Sequence, residues 1–596
     1  MPETSRSFQR VDRVPAVGRE AAVAAARREA TDAALAILEK GGNAVDAAVA
    51  CGFVAAVVEP MDTCLAGSGF MLVHDPADGR AWSVDFPSRA PLAARPDMFR
   101  VQSGEGVSRL LGVSTVEHDA NIEGPLACGV PATVGGLLAA HARFGRLPRA
   151  DVLAPAVAAA HDGFAVDAYY TLQALDSAGR MNGRPEARRI FLDADGKPPI
   201  APFLGSASLG TAPRLRQPEL GATLERIADL GAPGFYEGPV AHAIAETCAE
   251  LGGLISLEDL RHQRPVIAEP VRLDYRGHEI LAPASPCGGW TELEILAVLR
   301  HFDVARLGAD RLPVLVEAMR RAFLDRYHWL GDPEHVPVPL DALLSEPYTK
   351  ELAGRIRDGE PAPWVDAAEG PPWEVLAFRA EQDPWPHDPE ERSKPVFGPA
   401  PGGHPGQFAG HGTTHFSVID RDGMTVSTTH TAANAFGCKV VVPGTGVLLD
   451  SSMAWFNATP GAANSIAPGK RPLANMGPLL VRWHGRPVLA VGAPGGRRII
   501  SAVTQVVSNV IDLGLDAQEA ISAPRIDASG GAVLVSERID AGDRDRLADR
   551  GHRVQIVPEQ HEPFSYEMAR PVACAVDGTR RTAAADPFTT AHTAAL

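Results

Sequence analysis

The stretch Gly412-Thr413-Thr414-His415-Phe416-Ser417-Val418 decides how the rest of this chain is read. A threonine inside a chain is a poor nucleophile. Once the peptide bond before Thr413 is cut, the same residue carries a free α-amine beside its hydroxyl, and nucleophile and base then sit on one residue. Downstream the pattern is β: residues 414–419 and 424–430 are rich in β-branched side chains and flank Arg421-Asp422-Gly423, with glycine where a turn needs positive φ. A three-residue turn sets Thr413 opposite Thr431, making two hydroxyls cross-strand neighbours. A two-residue loop would set Ala432 there instead.

Upstream, residues 358–412 hold eleven prolines among glycines and acidic residues, a density that no regular element survives. Such an arm lets a new chain end move away after a cut, and the same composition also suits a surface linker between domains. The 596 residues are 45% hydrophobic, enough for a large core. A formal charge of -17 with scattered basic residues excludes a nucleic-acid partner. Residues 1–19 are polar, without the apolar run of a secretory leader, which places the chain in the cytoplasm on this reading. No stretch reaches the roughly 18 apolar residues of a membrane span, so no membrane partner is expected. Seven cysteines stand singly, with no CxxC pair, and read as small buried hydrophobes rather than a disulfide framework. His404, His411 and His415 lack metal-ligand spacing; neither a metal nor a cofactor is expected.

In the first half, residues 20–40 read as an alanine-rich amphipathic helix closed by Gly41-Gly42, and Asn43 as the cap of a second helix over 44–58. Residues 69–73 and 81–86 form a hairpin on this reading. Helical patterns then run from 132 to about 357, broken by one strand-like segment, 271–280.

Five motifs, in order, resemble the γ-glutamyltransferase (glutathione hydrolase) family: Gly41-Gly42-Asn43-Ala44-Val45-Asp46-Ala47-Ala48, Gly129-Val130-Pro131, the Thr413 stretch, Lys470-Arg471-Pro472-Leu473 and Gly492-Ala493-Pro494-Gly495-Gly496. The resemblance spans nearly the whole chain. It implies an α+β, four-layer αββα sandwich of the N-terminal-nucleophile hydrolase type, made as one precursor that cuts itself at Gly412–Thr413. The implied products are a large subunit, 1–412, and a small catalytic subunit, 413–596. It further implies that Thr413 is the nucleophile, that Thr431 orients it, and that the N–H groups of Gly495 and Gly496 meet the oxyanion. The implied partners are a small-molecule amide and a water or amine acceptor.

The recognition residues depart from the family pattern. Pro87 stands where an arginine grips the substrate carboxylate, with Arg89 two residues on. Ala433 replaces an asparagine, Ser452 a glutamine, Trp455 the aspartate that pairs with the ammonium, and Ala474-Asn475 a pair of serines. Cys287 falls in a loop that normally carries serines and reads as structural. These changes remove polar partners for a zwitterion, so Arg89, Ser452, Trp455 and Asn475 are expected to bind a different acyl group, one that Arg89 would suit if it bears a carboxylate. Cephalosporin acylase-like and oxamate amidohydrolase-like relatives are of this kind. The rival readings are a true γ-glutamyl hydrolase or transferase, and an unprocessed, non-catalytic scaffold.

Overall fold

The computed structural model describes residues 13–101, 116–201, 212–362, 411–458, 460–559 and 567–596. His404 and nearly all of the proline-rich arm, 363–410, lie outside these residues, as does the side chain of His411.

Side-chain alternation along the strands builds two seven-stranded antiparallel sheets stacked face to face. One runs in the spatial order His592–Ala595, Ala22–Ala25, His411–Ile419, Thr425–Asn434, Ser68–Asp75, Arg80–Phe86, Val266–Ala268. The other runs Ala16–Gly18, Arg580–Ala585, Val572–Asp577, Arg486–Gly492, Leu479–Trp483, His278–Ala282, Val271–Tyr275. On Ser68–Asp75, Met71 and Val73 point outward and join the apolar cluster of the helices Arg28–Glu39, Ala44–Val58 and Thr133–Phe144. Leu72, between them, points inward and packs with Leu281, Leu480 and Ala490 of the second sheet. That sheet's outer face buries Leu479, Val481 and Leu489 against Leu293, Phe323 and Val503 of the helices Gly288–Leu299, Arg311–Trp329 and Arg498–Leu513. The layers are therefore αββα, as the family resemblance implied.

The helix Ala44–Val58 is buried along its whole length. Asn43 caps it, its side chain accepting from the N–H groups of Val45 and Asp46 while Asp46 accepts from Asn43 N–H. Asp420, at the edge of the Arg421-Asp422-Gly423 turn, accepts from the Ala44 N–H at 2.9 Å and so ties that turn to the start of this helix.

Two expectations need correction. Residues 20–40 are not one helix: Ala22–Ala25 is a strand between His411–Ile419 and His592–Ala595, and the helix starts only at Arg28. An alanine run carries little periodic signal, and here pairing on both edges and burial on both faces outweigh alanine's helix propensity. Residues 271–280 are not one strand but two, Val271–Tyr275 and His278–Ala282, joined through Arg276 and Gly277 at φ 53° and 77°. Two positive φ values make a tight hairpin turn, and arginine is an unusual residue to supply the first. The hairpin over 69–86 is present as Ser68–Asp75 paired with Arg80–Phe86. No helix among the described residues is long and apolar enough to cross a membrane.

Candidate active site

Thr413 opens the inner, sandwich-facing side of its strand, and Thr431 is its cross-strand partner, the register of a three-residue turn. The two hydroxyl oxygens lie 3.0 Å apart. Just before Thr413 the register shifts: Gly412 pairs with Ala433, leaving Ala432 bulged out of the ladder. The bulge is held from outside, because Ala432 N–H donates to the Asp62 carbonyl and the Ala432 carbonyl accepts from Ser451 N–H, each at 3.0 Å. Ala433 then sits at φ 71°, a left-handed conformation that costs a non-glycine residue about 1–2 kcal/mol. What this strain achieves is visible at Thr431, whose Oγ1 accepts from Ala433 N–H at 2.8 Å and donates to the carbonyl of Gly412. A hydroxyl has one proton and two lone pairs. With its proton on Gly412, Thr431 must accept from Thr413, so the nucleophile's hydrogen points at Thr431. Gly412 and Thr413 are consecutive residues of one strand, and this is the geometry of the uncut chain.

Gly412 has no room for a side chain: a Cβ there would lie 2.6 Å from the Asn434 carbonyl carbon and 3.1 Å from the Met61 oxygen. Two residues beyond Thr413 on the same face, His415 bonds Thr429 Oγ1 through Nδ1 at 2.7 Å and Ser417 Oγ through Nε2 at 2.9 Å. Ser417 spends its proton on the Ala490 carbonyl of the other sheet, so Nε2 is the protonated nitrogen and Nδ1 accepts. Full burial, reinforced by His430, holds His415 down to about 3, a neutral imidazole at any working pH. It is an interior strut between the sheets. Among the described residues no group of three or more His, Cys, Asp or Glu side chains converges as a metal site.

A Cβ on Gly492 would run into the His415 ring, which places the end of the strand Arg486–Gly492 directly over the nucleophile's face. From there Ala493-Pro494 leads to Gly495 at φ 142° and Gly496 at φ 60°, followed by the helix Arg498–Leu513. Both values favour glycine, and a side chain on Gly495 would meet Ala569 at 2.6 Å. The turn thus places Gly495 and Gly496 immediately before a helix start.

The four recognition residues divide. Trp455 is buried, as are Ala433, Leu473 and Ala474, and all four belong to the large apolar cluster that also holds the second sheet's outer face. Its carbonyl accepts from Asn464 Nδ2 at 2.7 Å. Ser452 is packed against Gly129, and its N–H reaches Asp450 Oδ1 at 3.3 Å. Asn475 faces away from an open role: its Oδ1 accepts from the buried Arg326, whose guanidinium also donates to the carbonyls of Cys287 and Ala474. Arg89 is not a free cation. Its Nη1 is 3.0 Å from both Glu334 Oε2 and the Gly469 carbonyl, and Glu334 is shared with Arg471, itself clasped by Asp332. Cys287 is buried, as a structural residue would be.

Sequence reading missed Asp450. This buried carboxyl accepts from Ser88 Oγ at 2.8 Å and Gly129 N–H at 2.9 Å, and so pins three segments around Ser452. Burial pushes its pKa up to about 7. Its only local signal was its place two residues before Ser452; its other two partners, Ser88 and Gly129, lie more than 300 positions away.

A threonine poised to become a chain end on the inner face of an αββα sandwich, with a second hydroxyl on the carbonyl before it, defines an N-terminal-nucleophile hydrolase. The comparisons with known proteins narrow this class: the gamma-glutamyltranspeptidase family profile matches residues 30–596, and the chain belongs to that family. It is 34% identical over 525 residues to the glutathione hydrolase proenzyme of Escherichia coli K12, covering 86% of this chain and 81% of the relative. It is 33% identical over 552 residues to the acylase ACY 1 proenzyme of Pseudomonas sp. strain SE83, covering 92% and 89%. In fold it is similar to a cephalosporin acylase from Bacillus halodurans, with a TM-score of 0.80 over 100% of this chain and 99% of that one, at 24% identity. The protein is a self-processing amidohydrolase of this family.

Proposed function

We propose that the precursor cuts itself between Gly412 and Thr413 and that Thr413 then hydrolyses or transfers an acyl group lacking the α-ammonium of a γ-glutamyl substrate. In the first step Thr413 Oγ1 attacks the Gly412 carbonyl carbon. The Thr431 hydroxyl, already on that carbonyl oxygen, stabilises the negative charge as it forms. Collapse with proton transfer to the departing nitrogen gives an ester on Thr413 and frees its amine. Water then hydrolyses the ester, releasing the Gly412 carboxylate and leaving residues 1–412 and 413–596 folded together.

In the mature protein the Thr413 amine, with an ordinary pKa of about 7.7–8.0, takes the hydroxyl proton as the oxygen attacks a substrate amide. Gly495 and Gly496 N–H groups meet the oxyanion, the amine leaving group departs protonated, and water or a second amine resolves the acyl-enzyme.

The observation that carries the acyl preference is that Trp455, at the position where the family pairs an aspartate with the ammonium, is a buried indole, with Ala433 and Ala474 buried and apolar at two further recognition positions. An ammonium placed against that indole would lose its hydration without a carboxylate in return, a cost of several kcal/mol. The nearby carboxyl, Asp450, has its oxygens occupied by Ser88, Gly129 and Ser452. A carboxylate-bearing acyl group would have to compete with Glu334 for Arg89, which favours an acyl chain recognised mainly by its apolar body. Release of p-nitroaniline from glutaryl and γ-glutamyl anilides, identical but for the ammonium, tests the reading. We expect the glutaryl compound to be at least tenfold better in kcat/KM; a preference for the γ-glutamyl compound would restore the glutathione hydrolase reading.

A further inference from the structure

We propose that Cys128 and Cys438 are a latent disulfide pair that can link the large and small subunits covalently beside the active site. The two residues are 310 positions apart, so nothing in their sequence spacing suggests a pair, yet their Sγ atoms lie 3.2 Å from each other. A disulfide needs about 2.05 Å, a closure of about 1.2 Å. The backbones are already held for it. Gly124 N–H donates to the Cys438 carbonyl at 2.9 Å, which docks the short 3-10 turn Pro125–Ala127, and hence Cys128, against the Cys438 loop. Cys438 is fixed from its other side by its own N–H on the Leu449 carbonyl. Bonding therefore asks for side-chain rotation more than chain movement.

Both thiols are buried in the apolar cluster beneath the helical layer. The contact with Cys438 and then burial raise the Cys128 thiol well above its ordinary value, so thiolate is scarce and oxidation slow, and burial of both sulfurs keeps a bulky disulfide reagent out. A peroxide is small enough. One sulfur takes an oxygen from hydrogen peroxide, releasing water and forming a sulfenic acid; the second thiol attacks that sulfur, the S–S bond forms and a second water leaves. Two thiols are oxidised by two electrons and one peroxide is reduced. Cys64 and Cys248 lie near enough to Cys438 to influence one another electrostatically, but among the described residues only Cys128 and Cys438 are in sulfur–sulfur contact.

The position gives the link a consequence. Cys128 precedes Gly129, whose N–H holds Asp450, and Cys438 follows the turn that leaves the Thr431 strand. That the link joins two chains rests on cleavage at Gly412–Thr413, and the test separates the two claims.

Purified protein is treated with hydrogen peroxide in its native state, and separately is expressed with export to an oxidising compartment; tryptic peptides are then mapped without reduction. We expect a peptide pair joined through Cys128 and Cys438, two hydrogens lighter than the free thiols. The two subunits should then migrate together on a denaturing gel until reduced. Cys128→Ser and Cys438→Ser should abolish the link, whereas Cys64→Ser and Cys248→Ser should keep it. In Thr413→Ala the same joined peptides should form within one uncut chain, so a cleavage failure does not masquerade as a linkage failure. Free thiols at both positions in both arms, or linkage through Cys64 or Cys248 instead, would overturn the proposal.

Discussion

The Thr431 hydroxyl touches both halves of the bond to be broken: its oxygen lies 3.0 Å from Thr413 Oγ1 and its proton is on the Gly412 carbonyl. The strained Ala433 supplies the N–H that fixes this orientation. Replacing Thr431 with valine keeps the shape and removes all three interactions. We expect Thr431→Val to slow conversion of purified precursor by about 100- to 1,000-fold, the usual cost of one oxyanion donor, and Thr431→Ser to stay within about tenfold of wild type. Time-resolved intact mass reads both rates.

Gly412 matters only before the cut. A methyl group there would press on the Asn434 carbonyl carbon at 2.6 Å, so Gly412→Ala must shift the strand that presents the scissile carbonyl. Processing should slow at least tenfold. Subunits co-expressed as separate chains, with the same substitution at the large subunit's end, should keep wild-type kcat, because that residue is then a free terminus.

The pH–rate profile of the mature enzyme should rise through the pKa of the Thr413 amine, about 7.7–8.0, because the amine must be neutral to accept a proton. No limb near 6.5 should come from His415 or His430, each held down to about 3 by burial. The same burial makes them a source of acid instability. The unfolded chain protonates them near 6.5 and the folded one near 3, so their contribution is present above 6.5 and is lost as pH falls toward 3. A limb near 6.5 that disappears in His415→Asn would contradict the strut role.

Asp450 has the opposite sign. Its folded value of about 7 exceeds the ordinary one of 3.8, so the folded state holds the proton more tightly and stability falls as pH rises from about 4 to 7. Asp450→Asn keeps the shape and can satisfy Ser88, Gly129 and Ser452 without ionising. The melting temperature of this variant relative to wild type should therefore be higher at pH 8 than at pH 5, by on the order of a few degrees. A difference that does not change with pH would contradict a carboxyl that ionises across this range.

What was legible in the sequence was local. The turn glycine and flanking β-branched residues carry the Thr413–Thr431 register, and Asn43 carries a helix start, because each depends on residues a few positions apart. The strand Ala22–Ala25 was hidden because its conformation is set by partners hundreds of residues away. The same distance concealed the Glu334 partner of Arg89, the three segments that meet at Asp450, and the contact of Cys128 with Cys438. Side-chain chemistry pointed to Thr413 and Thr431, whereas the partners that occupy Arg89, Asp450 and Asn475 are brought to them only by the tertiary fold.

The most direct test of the central claim is the intact mass of purified wild-type protein beside Thr413→Ala. The account predicts two chains for wild type, the smaller beginning at Thr413, and a single uncut chain for the variant. A single chain in active wild-type protein, or the same two chains in Thr413→Ala, would contradict it.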